Sequence, residues 1–373
     1  MLKGYATPQG TERFKVRFED TGKVASGHFR TDYQGLNLSS LGMGTYLGDT
    51  SEETDEDMKQ AALASVQSGA INVLDTAINY RHQCSERSLA NALKILTEQG
   101  HVQRDELFLC SKNGFLTPDA AVHEDFQTYF QNTFIKTGII KPEDIAGGIH
   151  CMSPSYLAYQ LDKSLANLGV ETLDLMYLHN AAESQLAEVG REVFMQRLSK
   201  AFEFYETARQ DGKIRFYGLA TWNCFRVDKH CEDEYLNLET VVDLAESIGG
   251  EETHGFRYIQ LPYNLALPEA LTQPYQRVHD ERLSLLHAAS DLGMGVFTSV
   301  PLMQGQLLQH PLPVSPSVET PVQYCLQFVR STPGIIAPLV GHKNPAHVSQ
   351  NIAVAQHPPL SEEEFQTIFL TTA

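Results

Sequence analysis

The sequence predicts an α/β fold, a (β/α)8 barrel of the TIM type, on two observations. Eight short apolar runs recur along the 373 residues, each followed by a helical stripe or its equivalent. Three consecutive runs stop abruptly at an ionisable residue: Asp75 after residues 71–74, Lys112 after 107–111, and His179 after 173–178. Nearly continuous apolar runs are what parallel strands look like when both faces are buried. The C-terminal ends of barrel strands surround one shared pocket, so an acid, a lysine and a histidine would converge there, with Tyr80 on the loop beyond the first.

Taken in order, an N-terminal β-hairpin over about residues 10–30 precedes the barrel, with extended pieces at 13–18 and 23–26 around the turn signal Glu19-Asp20-Thr21-Gly22. Residues 41–46 form the first barrel strand, whose glycines let the backbone approach the interior or a ligand. A helix over 51–68 follows, acidic in its first turns as the positive end of the macrodipole favours, and Gly69 ends it. Beyond the strand at 71–75, a helix over 85–98 carries Leu89, Leu93 and Leu96 on one stripe.

After the third strand, residues 115–150 hold Pro118, Gly138, Pro142 and Gly147-Gly148, an extended loop insertion rather than a helix. It reads either as a lid or binding loop, or as a packed decoration remote from the site. Alternation then resumes with a helix over 154–168, a strand over 173–179, a helix over 191–210 and a strand over 214–220. A helix over 238–248, a strand over 258–264, a helix over 282–292 and a strand over 295–300 follow. A helix over 321–330, a strand over 335–340 and a helix over 345–355 close the ring. The tail, with Phe365, Ile368, Phe369 and Leu370 at helical spacing, reads as a helix packed on the barrel, and residues 1–373 read as one domain.

A formal net charge of −18 and the lack of a basic stripe exclude a nucleic-acid surface, though not a phosphorylated ligand held by a local cluster. Residues 1–20 have no apolar core and no run approaches the length of a membrane span, so a cytoplasmic protein without membrane contact is expected. The six cysteines include no C-x-x-C pair and suit reduced thiols; Cys84, beside the Tyr80 loop, is either a reactive thiol or a bystander. Histidines at metal-ligand spacing are lacking, so no metal site is expected. No G-x-G-x-x-G or P-loop follows a strand, so a dinucleotide would not be held in the Rossmann manner.

A tyrosine hydroxyl is a poor proton donor at neutral pH because its ordinary pKa is about 10. An adjacent ammonium stabilises the phenolate, and a carboxylate paired with the lysine keeps that ammonium charged and in place. An imidazole can orient and polarise a substrate oxygen. Asp75, Tyr80, Lys112 and His179 therefore suit delivery of a proton to a carbonyl oxygen while a hydride arrives at carbon.

From about Tyr33 to Ala355 the sequence resembles the aldo-keto reductases. The resemblance rests on Leu41-Gly42-Met43-Gly44-Thr45, Asp75-Thr76-Ala77-Ile78-Asn79-Tyr80, Ser85-Glu86, Lys112, the run ending at His179, Gln260-Leu261-Pro262-Tyr263-Asn264, Pro301-Leu302, and residues 341–351. It implies an NAD(P)H-dependent reductase in which Tyr80 is the general acid, Lys112 lowers its pKa, Asp75 partners Lys112, and His179 orients the substrate. It further implies Gln260 and Thr221 at the nicotinamide carboxamide, Ser299 where the nicotinamide ring lies, Lys343 at a ribose 2′-phosphate and Asn351 near the adenine. NADPH is thus the expected cofactor and NADH a possible one, with a small-molecule carbonyl substrate.

Three positions depart from the family pattern. Ala220-Thr221 replace a Ser-Asn pair, Ser299 stands where a stacking tyrosine is usual, and Asn344 where many members have arginine. The competing reading is a catalytically weak barrel that binds the cofactor and serves a binding or regulatory role. The substrate pocket is expected in the loops at 115–150 and 223–237, with Phe115, Phe126, Tyr129, Phe134 and Phe225 as candidate walls.

Overall fold

In a computed structural model that describes residues 1–309, 311–312 and 320–372, eight parallel strands close into a barrel. They are β1 (Gly42–Gly44), β2 (Val73–Asp75), β3 (Phe108–Asn113), β4 (Leu173–His179), β5 (Ile214–Ala220), β6 (Phe256–Pro262), β7 (Gly295–Ser299) and β8 (Ile335–Gly341). Each pairs with its neighbour in sequence, and β8 returns to β1. The register places His179 beside Ala220 and Ala220 beside Gln260, a row at the C-terminal rim.

Outside the barrel lie α1 (Glu52–Gln67), α2 (Cys84–Glu98), α3 (Pro154–Leu168), α4 (Ala181–Val189), α5 (Arg191–Gln210), α6 (Leu238–Gly249), α7 (Leu285–Asp291), α8 (Pro321–Ser331) and α9 (Pro345–Ala353). Their starts follow local chemistry: Ser51 caps α1 through the Thr54 N–H, and proline occupies the first turn of α3, α8 and α9. The interior is filled by Val73 of β2, Phe108 of β3, Leu175 and Tyr177 of β4, Tyr258 of β6 and Phe297 of β7, all buried. Among the described residues no helix is long and apolar enough to cross a membrane.

The N-terminal segment corrects the sequence reading. Residues 13–18 belong to a helix, Pro8–Glu19, and not to an extended piece. Their alternation also satisfies the four-residue spacing of the buried Gly10, Phe14 and Phe18, and the start decides for the helix: Thr7 accepts from the Gly10 N–H and Pro8 occupies the first turn. An N-terminal hairpin does precede the barrel, but it pairs Phe29–Thr31 with Asn37–Ser39. It closes the N-terminal end of the barrel, where Asp32 accepts from the Tyr258 hydroxyl at 2.5 Å.

Two further differences have local causes. The expected helix over 282–292 begins only at Leu285, because Glu281–Leu283 pairs with Gln276–Val278 in a small hairpin and Ser284 caps the helix. The insertion after β3 holds a short helix, Phe126–Phe130, a wider turn, Gln131–Ile135, and a hairpin of Ile145–Ala146 with His150–Cys151. Tyr129, Phe134 and Ile140 form its own apolar cluster with Tyr156 of α3. Its body is thus a packed decoration, and its neck, where Phe115 pairs with His150, brings Phe115 to the barrel mouth. At the other end of the chain, Glu362–Thr372 is helical and buries Phe365 against Phe328, with ring centroids 5.6 Å apart; the side chains of Phe369 and Leu370 lie outside the described residues.

Candidate active site

Asp75 ends β2, Lys112 is the penultimate residue of β3, and His179 ends β4, so the three strand ends aim their side chains at one point. The Lys112 ammonium donates to the Asp75 carboxylate and, at 2.9 Å, to the Thr76 carbonyl. It lies 4.7 Å from the centroid of the Tyr80 ring. The other Asp75 oxygen accepts from the Gln260 side-chain amide at 3.0 Å. The Tyr80 ring stands edge-on to His179, with centroids 5.9 Å apart, and to Tyr46 at 5.1 Å. The four residues singled out in the sequence therefore meet in space.

Burial works against the Lys112 charge, but Asp75 and Tyr80 outweigh it and hold the ammonium above its ordinary pKa. Burial raises Asp75, opposed by Lys112 and Gln260. Tyr80 corrects an expectation: burial lifts the phenol above its ordinary value, and the opposing charge of Lys112 does not reverse the direction. Tyr80 is half-buried, with an edge toward the cleft.

His179 is pushed well below the usual histidine range by burial and by the charge of Lys112, so its imidazole is neutral at pH 7. Its Nδ1 is buried and has no partner among the described residues. A bare lone pair is less costly there than an unpaired N–H, which assigns the proton to Nε2.

The loop beyond Tyr80 is strained. Arg81, His82 and Gln83 all have positive φ, at 50°, 51° and 75°, each costing about 1–2 kcal/mol outside glycine. Straps hold the loop in place: Arg81 donates to the Asp49 carbonyl at 2.5 Å and to Asp55 at 2.6 Å, and the Ala120 N–H donates to the His82 carbonyl at 3.1 Å. Burial raises the Cys84 thiol, which leaves it protonated and favours the bystander reading over the reactive one.

From the tetrad a cleft of about 740 Å³ runs along the barrel mouth to the start of α9. Tyr46, Phe115, His179 and Trp222 wall its inner end, and Gln260, Thr221, Ser299, Lys343 and Asn351 all line it. The Gln260 amide is spent on Asp75, and its side-chain carbonyl oxygen has no hydrogen-bond partner among the described residues. Ala220 lines the cleft and has no side-chain donor, while the neighbouring Thr221 hydroxyl leans on the Gln260 backbone carbonyl at 3.4 Å. Lys343 is the one lysine or arginine among the described lining residues, and Asn344 caps α9 by accepting from the Ala346 N–H at 2.9 Å.

The expected substrate walls are corrected in part. Phe115 lines the cleft, but Tyr129 and Phe134 pack inside the insertion, Phe126 is exposed on it, and Phe225 belongs to the main core. The stretch 223–237 faces a separate surface hollow lined by Lys229, Glu232 and Tyr235. Sequence reasoning missed Tyr46 and the turn Met303–Gln309, which supplies Gln304 and Leu308 to the cleft. Tyr46 sits directly beyond β1, so the strand-end argument that found Asp75 and His179 also reaches it. Among the described residues no group of three His, Cys, Asp or Glu side chains is placed to hold a metal ion.

Comparison with known structures places this barrel among aldo/keto reductase folds. An aldo/keto reductase from Klebsiella pneumoniae in complex with NADP and acetate is 20% identical and superposes with a TM-score of 0.60, covering 93% of this chain and 96% of that one. The holo form of an aldo-keto reductase from Bacillus halodurans is 18% identical, with a TM-score of 0.60 over 92% of this chain and 96% of that one. A glycerol dehydrogenase from Gluconobacter oxydans is 17% identical, with a TM-score of 0.59 over 92% and 94%. At such identities the likeness is one of fold. No curated protein matches the sequence significantly. The sequence itself matches the aldo/keto reductase family across residues 40–312, and the protein belongs to that family.

Proposed function

We propose that this protein is an oxidoreductase that reduces an aldehyde or ketone at the expense of NADPH, with Tyr80 as the proton donor. The observation that carries the reading is the buried Lys112–Asp75 pair set under Tyr80 and beside a neutral His179. A chain without chemistry to perform gains nothing from burying that charge, since an apolar pair of similar volume is often as stable or more so.

The cleft fits the cofactor. It runs from Tyr80 to Asn351, and the Gln260 side-chain carbonyl, without a partner among the described residues, suits a carboxamide N–H. Ser299 supplies a small polar wall, and Lys343 stands at the α9 end, where the helix N-terminus also favours phosphate. Solved structures of the same fold hold NADP or NADPH. Lys343, the one lysine or arginine among the described lining residues, favours NADPH over NADH.

The bound cofactor would supply the hydride, and the remaining work falls to the protein. His179, protonated on Nε2, donates to the substrate carbonyl oxygen and fixes its position. Tyr80, whose raised pKa keeps it protonated at neutral pH, gives its proton to that oxygen as negative charge develops. Lys112 then stabilises the phenolate, and Asp75 keeps Lys112 charged. Tyr46, Phe115 and Trp222 limit water around the reacting carbon.

Ala220 favours one alternative, a barrel that holds a nucleotide weakly and does no chemistry. Trp222 is the sole tryptophan, lines the cleft and is 45% exposed, so its emission reports cofactor binding. Saturable quenching by NADPH is expected. Tyr80→Phe should keep that quenching and lose roughly 10²–10⁴-fold in kcat. Quenching without turnover of any carbonyl by the unaltered protein favours the alternative, and undiminished turnover by Tyr80→Phe would sink the proton-donor assignment.

A further inference from the structure

We infer that His150, at the neck of the insertion, is a positioning residue for His179, and that its hydrogen-bond direction is set from the protein surface by Arg197 through Gln185. The β3–β4 ladder stops at Asn113 opposite Leu178, and the next N–H of that edge, from Gly114, is given to the Gln160 side chain at 2.8 Å. His150 Nε2 lies 2.9 Å from the His179 carbonyl oxygen. On the β3 side the His179 carbonyl is therefore held by a side chain where that ladder has ended, while on the β5 side the Asn180 N–H of the same peptide donates to the Ala220 carbonyl at 2.6 Å. Directly after it, Asn180 adopts a left-handed φ of 46°, so this peptide is one that needs holding.

Three residues fix the direction of the network. Arg197 can only donate, and it gives an N–H to Gln185 Oε1 at 2.9 Å. Gln185 must then present its amide N–H to His150 Nδ1, also at 2.9 Å. Nδ1 accepts, so the one proton of the ring sits on Nε2 and points at the His179 carbonyl. Burial pushes the His150 imidazole down to about 4, which keeps the ring in that single neutral form at working pH. Arg197 is anchored in turn on the Glu143 and Asp144 carbonyls of the insertion, at 2.7 and 3.2 Å.

The fit around His150 is close. A Cβ at Gly114 would come within 2.6 Å of His150 Nε2, so Gly114 is what allows the ring to reach the His179 carbonyl. The Phe115 ring stands edge-on to both imidazoles, 5.3 Å from His150 and 5.0 Å from His179, while its carbonyl accepts from the Tyr156 hydroxyl and the Gln160 amide. The insertion thus acts on the site through its neck, as a buttress behind His179.

The kinetic part of the test rests on the carbonyl reduction proposed above; the spectroscopic part does not. His150→Leu removes the donor at similar volume, and His150→Gln restores an N–H near the Nε2 position. We expect His150→Leu to lower kcat about tenfold or more, with the NADPH quenching midpoint unchanged within twofold, and His150→Gln to recover most of that loss. In the cofactor-free protein, the His179 ring resonances in ¹⁵N–¹H correlation spectra should shift in His150→Leu and return in His150→Gln. Arg197→Met, at the outer end of the chain, keeps the idea open to refutation if His150→Leu does not fold, and should move the same resonances. Unmoved His179 resonances in these variants, or a His150→Gln protein as impaired as His150→Leu, would overturn the inference. An unaltered protein that turns over no carbonyl would instead count against the proposed function, and the resonances would still decide on the buttress.

Discussion

The floor of the cleft and its outer rim are both made from the ends of barrel strands and the turns beyond them, yet they hold their side chains by different means. At the floor, Lys112 is fully buried and spends its donors on Asp75 and the Thr76 carbonyl, and Asp75 in turn takes the Gln260 amide. At the rim, Lys343 is exposed, Ser299 has no side-chain partner among the described residues, and the Ala220 side chain offers no polar atom. A buried charge tolerates one arrangement, because any other leaves it unpaired. An exposed one is served by water in many. The chemistry is therefore expected to be rigidly specified and the cofactor grip adjustable.

The comparison is broken most severely at the floor. Lys112→Met leaves the Asp75 carboxylate buried without its partner and should cost about 3–5 kcal/mol of stability, read as a fall in denaturant midpoint. A loss below about 1 kcal/mol would mean that the floor is no more tightly specified than the rim.

Beside the rim lies a buried titratable group. Burial pushes His342, next to Lys343, from 6.5 down to about 4. Below pH 6.5 the unfolded chain takes up a proton that the folded site refuses, so stability falls with acid until about pH 4 and no further below it. Each pH unit between the two values is worth about 1.4 kcal/mol, a total of about 3 kcal/mol. His342→Gln should flatten the unfolding midpoint between pH 6.5 and 4, and an unchanged slope would show that other groups carry it.

Smaller effects test whether the grip can be adjusted. Ser299→Tyr sets a ring where the proposed nicotinamide site lies, and a stacked pair worth about 1 kcal/mol should tighten NADPH roughly fivefold, measurable by Trp222 quenching. No tightening would place the nicotinamide away from Ser299. Lys343→Met should weaken NADPH by about two- to fivefold at low salt and leave NADH unchanged, with the difference fading at about 1 M salt. Equal effects on both cofactors would move the 2′-phosphate elsewhere.

Much of the site was legible in the sequence because its signals are local. A strand buried on both faces must be apolar, so an ionisable residue that ends the run marks the barrel mouth, and Asp75, Lys112 and His179 could be found one strand at a time. The glycine and proline punctuation likewise placed most helices within a residue or two, as at Pro154–Leu168. The residues 13–18 were not decided this way, since Phe14, Val16 and Phe18 satisfy a period of two while Gly10, Phe14 and Phe18 satisfy a helical one.

Only the tertiary structure decided what depends on sums over distant neighbours. Whether the Tyr80 pKa rises or falls is a contest between burial and the charge of Lys112, and burial is a property of the whole surround. The aromatics of the insertion could not be sorted by composition into wall and core, because Phe115 and Phe134 differ only in what the folded chain brings against them. The placing of His150 behind His179, 29 residues away, likewise exists only once the insertion has closed on its neck. Sequence periodicity fixes which face a residue takes within its own element, whereas the partner it meets there is set by the packing of elements that no local pattern records.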